Sequence, residues 1–231
     1  MSVVAMIPTY NESGNIAQLI RELLALPLDM KVLVVDDLSP DGTYAIVQDI
    51  MKAEPRVQLL LRRENRGRGW AGIDGFKQAL AMGAKYIVEM DADFSHPPRF
   101  IPAMLERAQS ADIVIGSRYV AGGRDEHRSA LRRIISALAR RYLSLMLGVS
   151  LADPTSGFRL FRRAALEQIV PFLSARDPFI VTEVIYHART QHLSLAEVPI
   201  EFMERRAGTS KLDSSVLFKY LFRVIKLRFS R

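Results

Sequence analysis

The chain has 231 residues, of which 49% are hydrophobic and 25% are charged, and its formal net charge is +7. This length is enough for one α/β domain with a large core, and the balanced composition argues against long disordered segments. Cysteine is absent, which excludes disulfides, thiolate metal sites and cysteine nucleophiles. Any metal ion must therefore be held by oxygen or histidine ligands.

The positive charge favours anionic partners, namely nucleic acid, acidic lipid headgroups or phosphorylated substrates. No uncharged apolar run approaches the ~18 residues needed to cross a bilayer, and the nearest is the segment from Tyr142 to Ala152. The first residues, MSVVAMIPTY, are typical of a core strand and not of a signal peptide. We therefore expect a cytoplasmic active site in a chain that does not span a membrane.

Short apolar runs alternate with amphipathic stretches through the first half of the chain. We predict strands at VVAMI, VLVV, VQLLL, YIVEM and DIVIG, with helices near 14–26, 42–53, 70–82 and 98–109. Buried strands joined by crossover helices indicate a three-layer α/β sandwich with a mostly parallel central sheet. Functional groups then belong at the carboxyl ends of the strands. Those ends carry PTYNE, DDLSPDGT, RRENRGRG, DADFSHPP and GSRY.

An amphipathic helix is predicted near residues 131–149, with an apolar stripe and four arginines that lie off it. The stripe consists of Leu131, Ile134, Ile135, Leu138, Tyr142, Leu145, Met146 and Val149. The arginines are Arg132, Arg133, Arg140 and Arg141. Two interpretations stay open here: a surface helix packed on the core, or an interfacial helix whose apolar face enters lipid.

The last residues repeat this pattern, with Lys219, Arg223 and Lys226 spaced to share one helix face. We therefore divide the chain into a domain over residues 1–212 and a basic amphipathic tail over residues 213–231. The tail is expected at a membrane interface, which makes the protein peripheral on the cytoplasmic face of a membrane.

The strongest candidate site is DADFSH, which directly follows the strand YIVEM. Asp91 and Asp93 emerge there together, and Mg²⁺ or Mn²⁺ prefers oxygen ligands that connect carboxylates to substrate phosphates. A turn in which Asp93 caps the helix begun by Pro97 and Pro98 would leave Asp91 without a role. We therefore predict a metal site that stabilises a departing nucleoside diphosphate, with His96 either a ligand or a structural residue.

A second acidic pair, Asp36 and Asp37, ends the strand VLVV. Because a carboxylate only accepts hydrogen bonds, we predict that this pair binds ribose hydroxyls or base N–H groups. The alternative is a capped loop that binds no ligand. Further along the chain, the loops DPTSGFR (153–159) and RRAGTSK (205–211) are rich in hydroxyl and cationic residues. Such loops are able to close over an anionic substrate.

The segment from Gly67 to Gly72 matches G-x-G-x-x-G, the fingerprint of dinucleotide-binding enzymes. That fingerprint directly follows its strand, normally the first, whereas RRENR intervenes here after the third strand. Arg63 and Arg66 beside a glycine turn fit diphosphate binding better. A nicotinamide-dependent oxidoreductase is therefore disfavoured. A nucleic-acid-binding module is also disfavoured, because the sequence shows no recognition helix or aromatic stacking platform.

The ordered set of motifs resembles the dolichyl-phosphate (polyprenyl-phosphate) mannose synthase group of the family 2, GT-A fold glycosyltransferases. The motifs that carry the likeness run from Val3 to about Leu212: PTYNE, VDDLSPDGT, DADFSHPP, GSRY, DPTSGF, VPIEF and RRAGTSK. The resemblance implies transfer of mannose from GDP-mannose to a membrane polyprenyl or dolichyl phosphate, with inversion, to give a β-linked product. UDP-glucose or another nucleotide sugar on the same lipid phosphate stays open as the alternative donor.

The resemblance also implies site residues at the matching positions. Those implied for the nucleotide sugar are Pro8, Tyr10, Glu12, Val35, Asp37, Asp91, Ala92, Asp93, Arg118, Arg205 and Lys211. A catalytic role is implied for Asp91, Asp93, Arg118, Arg205 and Lys211. The implied ligands of Mg²⁺ or Mn²⁺ are Asp91, Asp93 and Ser95, the last standing where archaeal relatives often have glutamine.

Three departures from the family pattern lie on the acceptor side or near it. The glycine loop after Arg63 is shorter than the eukaryotic form, His127 stands where tryptophan is common, and Arg140 stands near a usual asparagine. The sequence offers no clear catalytic base. A phosphate monoester, with a second pKa of about 6, is already an anionic nucleophile near neutral pH and needs none.

Overall fold

The computed structural model of the chain describes residues 2–125, 130–202 and 214–229. The strands are β1 (Val3–Thr9), β2 (Met30–Asp36), β3 (Val57–Leu61), β4 (Tyr86–Glu89), β5 (Ile113–Ser117), β6 (Arg124–Asp125), β7 (Arg159–Arg162), β8 (Leu195–Pro199) and β9 (Glu201–Phe202). The helices are α1 (Ile16–Leu24), α2 (Thr43–Ala53), α3 (Arg68–Ala81), α4 (Ile101–Arg107), α5 (Ala130–Leu147), α6 (Arg163–Ile169), α7 (Ile180–Thr190) and α8 (Ser214–Phe229). Single 3₁₀ turns precede α4 and follow α6.

A seven-stranded sheet in the order β3-β2-β1-β4-β7-β5-β8 forms the centre of the protein. Its strand pairs are parallel except at β7, which runs antiparallel to both β4 and β5. The short strands β6 and β9 pair separately. The carboxyl ends of β1, β2 and β4 therefore meet at one edge, where the sequence places its polar motifs.

Successive side chains of a strand point to opposite sides of the sheet. The buried apolar side chains therefore form one core on each face. Val3 and Ile7 of β1 face the core formed with α1, α2 and α4. Val4 and Met6 face the core formed with α3 and with α5 to α8. Helices on both faces of a mostly parallel sheet make three layers, so the predicted α/β fold class is confirmed.

The predicted elements of the first half agree with the structure, with one change at the fourth helix. That helix was predicted over 98–109, but it begins with a 3₁₀ turn at Pro98–Phe100 and continues as α4 from Ile101 to Arg107. The second half contains elements that we did not predict, namely β6, β7, α6, α7, β8 and β9. The loop predicted over 153–159 ends in a strand, because Arg159 begins β7 and is fully buried.

The helix predicted near residues 131–149 is α5, which packs on the core, and its entry into lipid stays a prediction. Leu143 and Leu147 are buried in the core, whereas Ile135, Leu138 and Leu145 are exposed. Within the predicted C-terminal tail, Ser214–Phe229 form α8, whose Val224 is buried. Among the side chains of α8 that the structure describes, Phe222, Ile225 and Phe229 are large, apolar and exposed.

Polar contacts hold α8 against the domain. The hydroxyl of Tyr142 on α5 donates to the carbonyl of Leu221, at 3.0 Å. Arg223 forms an ion pair with Asp177, so this cation of the predicted basic face is used within the protein. Among the residues that the structure describes, no helix combines the length and the apolar character needed to span a bilayer.

Candidate active site

Two neighbouring cavities open at the carboxyl edge of the sheet. The larger, of about 540 Å³, is lined by Pro8, Thr9, Tyr10, Asp37, Arg66, Gly67, Arg68 and Ala71. The smaller, of about 300 Å³, is lined by Pro8, Glu12, Arg68, Asp91, Ala92, Asp93, Thr155, Gly157, Pro178 and Val181. Pro8 and Arg68 belong to both linings, so the cavities are adjacent. Nine of the eleven residues predicted for the nucleotide sugar lie in the part of the chain that the structure describes. All of these except Val35 and Arg118 line one or both cavities.

Asp91 and Asp93 lie just beyond the end of β4 and both line the smaller cavity. The carboxylate of Asp91 is about one third exposed and lies 3.7 Å from Nη2 of Arg68. Asp93 is 7% exposed, and its Oδ1 accepts hydrogen bonds from the backbone N–H and the hydroxyl of Ser95, at 3.1 and 2.5 Å. Asp93 therefore closes its own turn, and it does not cap the helix that follows.

This donor set fits a hard divalent cation. Two carboxylates at one cavity are what Mg²⁺ or Mn²⁺ takes from a protein when substrate phosphates and water complete its coordination. Within residues 2–125, 130–202 and 214–229 there is no group of three or more acidic or histidine side chains that could hold a metal. The hydroxyl of Ser95 donates to Asp93 and orients it. Its oxygen keeps lone pairs for a cation, so the role of Ser95 as a ligand stays a prediction.

His96 is a structural residue of the Asp91 loop. Its Nδ1 accepts a hydrogen bond from the backbone N–H of Asp91 at 3.1 Å, and its ring stacks on Phe158 at 5.2 Å between centroids. Burial lowers the pKa of His96 below its ordinary value, although the charges of Asp91 and Asp93 oppose this. A neutral imidazole is what an accepting Nδ1 requires. The structure thus favours the structural interpretation of His96.

The two acids at the end of β2, Asp36 and Asp37, have different roles. The carboxylate of Asp36 is fully buried and accepts hydrogen bonds from the hydroxyl of Thr9 and from Ser39, at 2.7 to 2.8 Å. Asp37 lines the larger cavity, where its oxygens accept from Arg62 and from the backbone N–H of Gly67. The prediction that both carboxylates face a nucleotide is therefore wrong for Asp36, which stabilises the loop below the cavity.

Arg118 lies at the end of β5 and is bound to a buried acid. Its Nε and Nη2 donate to the two carboxylate oxygens of Asp153, at 2.7 and 3.0 Å. Glu197 holds the same loop by accepting from the backbone N–H groups of Ala152 and Asp153. Burial opposes ionisation of Asp153, but the hydrogen bond and charge of Arg118 outweigh it, and the pKa of Asp153 falls below its ordinary value.

The other predicted donor residues take different places. Tyr10 is 54% exposed, with the guanidinium of Arg66 5.3 Å from its ring centroid. Val35 is fully buried within the core, and its side chain does not belong to the lining of either cavity. Arg205 and Lys211 lie outside the described residues, as does His127.

A buried charged cluster under the site was missed from the sequence. It joins Arg68 at the start of α3 to Glu89 at the end of β4, with Nη2 and Oε1 2.8 Å apart. Arg159 pairs with Glu89 across β7 and β4, and burial lowers its pKa to about 10. Arg159 donates to the carbonyls of Ser156 and Pro154. No local pattern reveals this cluster, because its members are brought together by the pairing of distant strands.

A carboxylate pair beside cationic cavities, at the carboxyl edge of a mostly parallel sheet, is typical of enzymes that bind phosphorylated ligands. The sequence comparison defines the class further: the chain belongs to glycosyl transferase family 2, which it matches over residues 4–170. The predicted family is thereby confirmed.

Two named relatives align over nearly the whole chain. A polyprenol monophosphomannose synthase of Mycolicibacterium smegmatis is 36% identical over 224 residues, which are 96% of this chain and 84% of that protein. An undecaprenyl-phosphate mannosyltransferase of Micrococcus luteus is 36% identical over 218 residues, which are 94% of this chain and 90% of that protein.

Solved structures share the fold at low sequence identity. A glucosyl-3-phosphoglycerate synthase from Mycobacterium tuberculosis, in complex with Mn²⁺, uridine diphosphate and phosphoglyceric acid, superposes with a TM-score of 0.70 at 18% identity, covering 98% of this chain and 76% of that chain. A mannosyl-3-phosphoglycerate synthase from Rubrobacter xylanophilus superposes with a TM-score of 0.61 at 17% identity, covering 98% and 72%. At these identities the likeness establishes the fold.

Proposed function

We propose that the protein transfers mannose from GDP-mannose to a polyprenyl phosphate and gives a β-linked mannosyl phosphate lipid. The observation that carries the proposal is the 36% identity, over nearly the full length of the chain, to two enzymes named for mannose transfer to polyprenyl phosphates. The site supports it, because the chain's own carboxylates and arginines line cavities of a size suited to a nucleotide sugar.

The donor is proposed to lie across both cavities. Its nucleoside occupies the larger cavity, between Tyr10 and Asp37, and its diphosphate approaches Asp91 and Asp93 in the smaller one. Arg66 and the start of α3 offer positive charge to the phosphates along this path. Arg205 and Lys211, which the family resemblance places around the phosphates, complete the proposed set.

Asp91, Asp93 and Ser95 are the proposed ligands of Mg²⁺ or Mn²⁺, and the hydroxyl of Ser95 also positions Asp93. A divalent cation held there supplies Lewis-acid stabilisation of the charge that develops on the leaving diphosphate. The carboxylate of Asp93 is already fixed by its turn, so little reorganisation accompanies binding. Glu12, whose side chain accepts a hydrogen bond from Asn15, lines the same cavity.

The acceptor supplies its own nucleophile. An oxygen of the acceptor phosphate forms a bond to the anomeric carbon of mannose while the bond from that carbon to the β-phosphate of GDP breaks. The bonding electrons leave with GDP, and attack from the opposite face inverts the configuration. Because a phosphate monoester is largely dianionic above its second pKa of about 6, no general base is required. The chain contributes alignment and cationic stabilisation.

The acceptor resides in a membrane, and we propose that the protein docks on the cytoplasmic face as a peripheral protein. The exposed apolar residues of α5 and α8 would enter the lipid, since large exposed apolar side chains mark interaction surfaces. The net charge of +7 adds attraction to anionic headgroups. In this arrangement residues 1–212 form the catalytic domain and residues 213–231 contribute to the membrane interface.

A donor panel tests the proposal. Radiolabelled sugar transfer to a short-chain polyprenyl phosphate is measured with GDP-mannose, UDP-glucose and GDP-glucose as donors, and with the unphosphorylated polyprenol as the control acceptor. We expect transfer from GDP-mannose only, and none to the polyprenol. Preference for UDP-glucose would replace the donor assignment. Equal transfer to the polyprenol would contradict the role of the acceptor phosphate.

A further inference from the structure

Arg68, the first residue of α3, lies where the two cavities meet. Its side chain is 21% exposed and contributes to both linings. Its Nη2 lies 2.8 Å from Oε1 of Glu89 and 3.7 Å from Oδ1 of Asp91. One guanidinium is therefore shared between a buried acid and a proposed metal ligand.

Glu89 holds this guanidinium in place. Its side chain is 1% exposed, and within the described parts of the chain its Oε2 has no hydrogen-bond partner. Removing Arg68 from Glu89 would leave a buried carboxylate without its direct counter-ion, which is costly. Arg159, the other cation of the cluster, is fully buried and does not belong to the lining of either cavity. Arg68 is therefore a fixed cation at the surface of the site.

Gly69 and Gly72, which belong to the segment that matches a dinucleotide fingerprint, allow α3 to place Arg68 between the two cavities. A Cβ at Gly69 would lie 2.1 Å from the carbonyl oxygen of Ala175, so only glycine allows the start of α3 to pack so closely on that segment. A Cβ at Gly72 would lie 3.3 Å from Nη1 of Arg68. The motif thus makes room for an arginine side chain and for close helix packing, and the sequence pattern did not reveal this use.

The position of Arg68 has an electrostatic consequence. A positive charge 3.7 Å from a carboxylate oxygen of Asp91 opposes the arrival of a divalent cation at the same carboxylate. A diphosphate that enters the cavity reverses the balance, because its negative charges are attracted to Arg68 and to the metal ion together. Each ligand then favours the binding of the other, and such coupling is reciprocal.

We propose that Arg68 couples the binding of the divalent cation to the binding of the nucleotide diphosphate, by opposing the cation alone and favouring it when the diphosphate is present. The inference rests on the proposed function, since it requires a metal site at Asp91 and a donor diphosphate beside it. It predicts that the enzyme holds little metal until its donor arrives.

Binding of Mn²⁺, followed by electron paramagnetic resonance with and without GDP, tests the proposal without an activity assay. We expect the unmodified chain to bind Mn²⁺ weakly alone and much more tightly with GDP. In Arg68→Met, we expect Mn²⁺ alone to bind about tenfold more tightly, as removal of one neighbouring charge predicts. We also expect most of the enhancement by GDP to be lost. An unchanged affinity for Mn²⁺ alone would overturn the inference.

Two further variants serve as a control and as a substitute for Arg68→Met. Arg66→Met removes a cation of the larger cavity that stacks on Tyr10, so it is expected to weaken GDP binding and leave the affinity for Mn²⁺ alone unchanged. If Arg68→Met unfolds, the variant with both Arg68→Met and Glu89→Gln removes the stranded charge, and the same tighter binding of Mn²⁺ is expected.

The outcomes separate this inference from the proposed function. Coupled binding of Mn²⁺ and GDP that depends on Arg68, without any transfer of mannose, would support the inference and contradict the function. Mannose transfer by a chain in which Arg68→Met leaves Mn²⁺ binding unaltered would support the function and contradict the inference.

Discussion

Arg118 and Asp153 form a bidentate ion pair in which Nε donates to Oδ2 and Nη2 donates to Oδ1, at 2.7 and 3.0 Å. The pair fastens the end of β5 to the loop that precedes β7. Asp153 is fully buried, and Arg118 is 11% exposed. The direction of the Arg118 guanidinium is therefore set by a buried partner.

Replacing Asp153 by alanine is expected to destabilise the protein by about 3–5 kcal/mol, because a mostly buried guanidinium loses its partner. Urea unfolding measures the change. Asp49→Ala is the matched control, since the Asp49–Lys52 pair is largely exposed and its loss should change stability far less. A loss of stability in Asp153→Ala no larger than in the control would contradict the structural role of the pair.

The same pair predicts a pH dependence. The pKa of Asp153 is lower in the folded chain than its ordinary value of 3.8, so the pair contributes its full stability above pH 4. This contribution is lost as the pH falls from that value through the lower folded pKa. The free energy of unfolding should therefore fall more steeply with acid in the unmodified chain than in Asp153→Asn. Parallel curves for the two proteins below pH 4 would refute this assignment.

Gly69→Ala should displace the start of α3. The Cβ of the new alanine would lie 2.1 Å from the carbonyl oxygen of Ala175. That atom belongs to the backbone, so the clash is not relieved by a side-chain rotation. We expect a loss of about 1–3 kcal/mol in unfolding free energy, together with weaker GDP binding. Gly14→Ala is the control, because nothing lies within 4 Å of a Cβ at that position. Equal stability of both variants would argue against close packing at Gly69.

The exposed apolar residues of α5 and α8 are predicted to anchor the protein on lipid. Replacing Leu138, Leu145 and Phe222 by serine should lower partitioning onto anionic liposomes roughly tenfold or more, because each side chain loses apolar contact. Sedimentation with liposomes measures the partitioning. Phe172→Ser serves as the control, since Phe172 is 50% exposed but lies outside these helices. Unchanged partitioning of the triple variant would count against this surface.

We expect the basic residues of α5 to contribute a separate, salt-sensitive part of the binding to anionic liposomes. Replacing Arg132, Arg133 and Arg141 by glutamine should weaken partitioning at low ionic strength and have less effect at high ionic strength. Arg140 is left intact, because its guanidinium stacks on the ring of Tyr119 at 3.3 Å from the centroid and contributes to packing near Arg118. A loss that does not depend on salt would contradict the electrostatic explanation.

The parallel half of the fold was predictable because buried parallel strands are continuous apolar runs, such as VVAMI and VLVV. The strand β7 was not, since it has four residues, RLFR, with an arginine at each end. Arg159 is buried there because backbone carbonyls and Glu89 compensate its charge. Such compensation depends on tertiary contacts that a local pattern does not contain.

The candidate site was predictable to the extent that its residues follow strand ends. Asp37, Asp91 and Asp93 line the cavities for this reason. The separate role of Asp36 follows from strand geometry, because successive side chains point to opposite sides. The position of Arg68 in the site was not predicted, because its partner Glu89 is buried and lies 21 residues away in sequence.

The proposed role of Asp93 in transfer is measured by the rate at which Asp93→Asn moves mannose from GDP-mannose to polyprenyl phosphate, at saturating Mn²⁺. This change keeps an oxygen to accept from Ser95 but removes the charge. We expect the melting temperature to be preserved and transfer to fall by at least about a hundredfold, with Asp49→Asn unaffected. Transfer by Asp93→Asn at the rate of the unmodified chain would rule out a cation held by Asp93 as the source of catalysis.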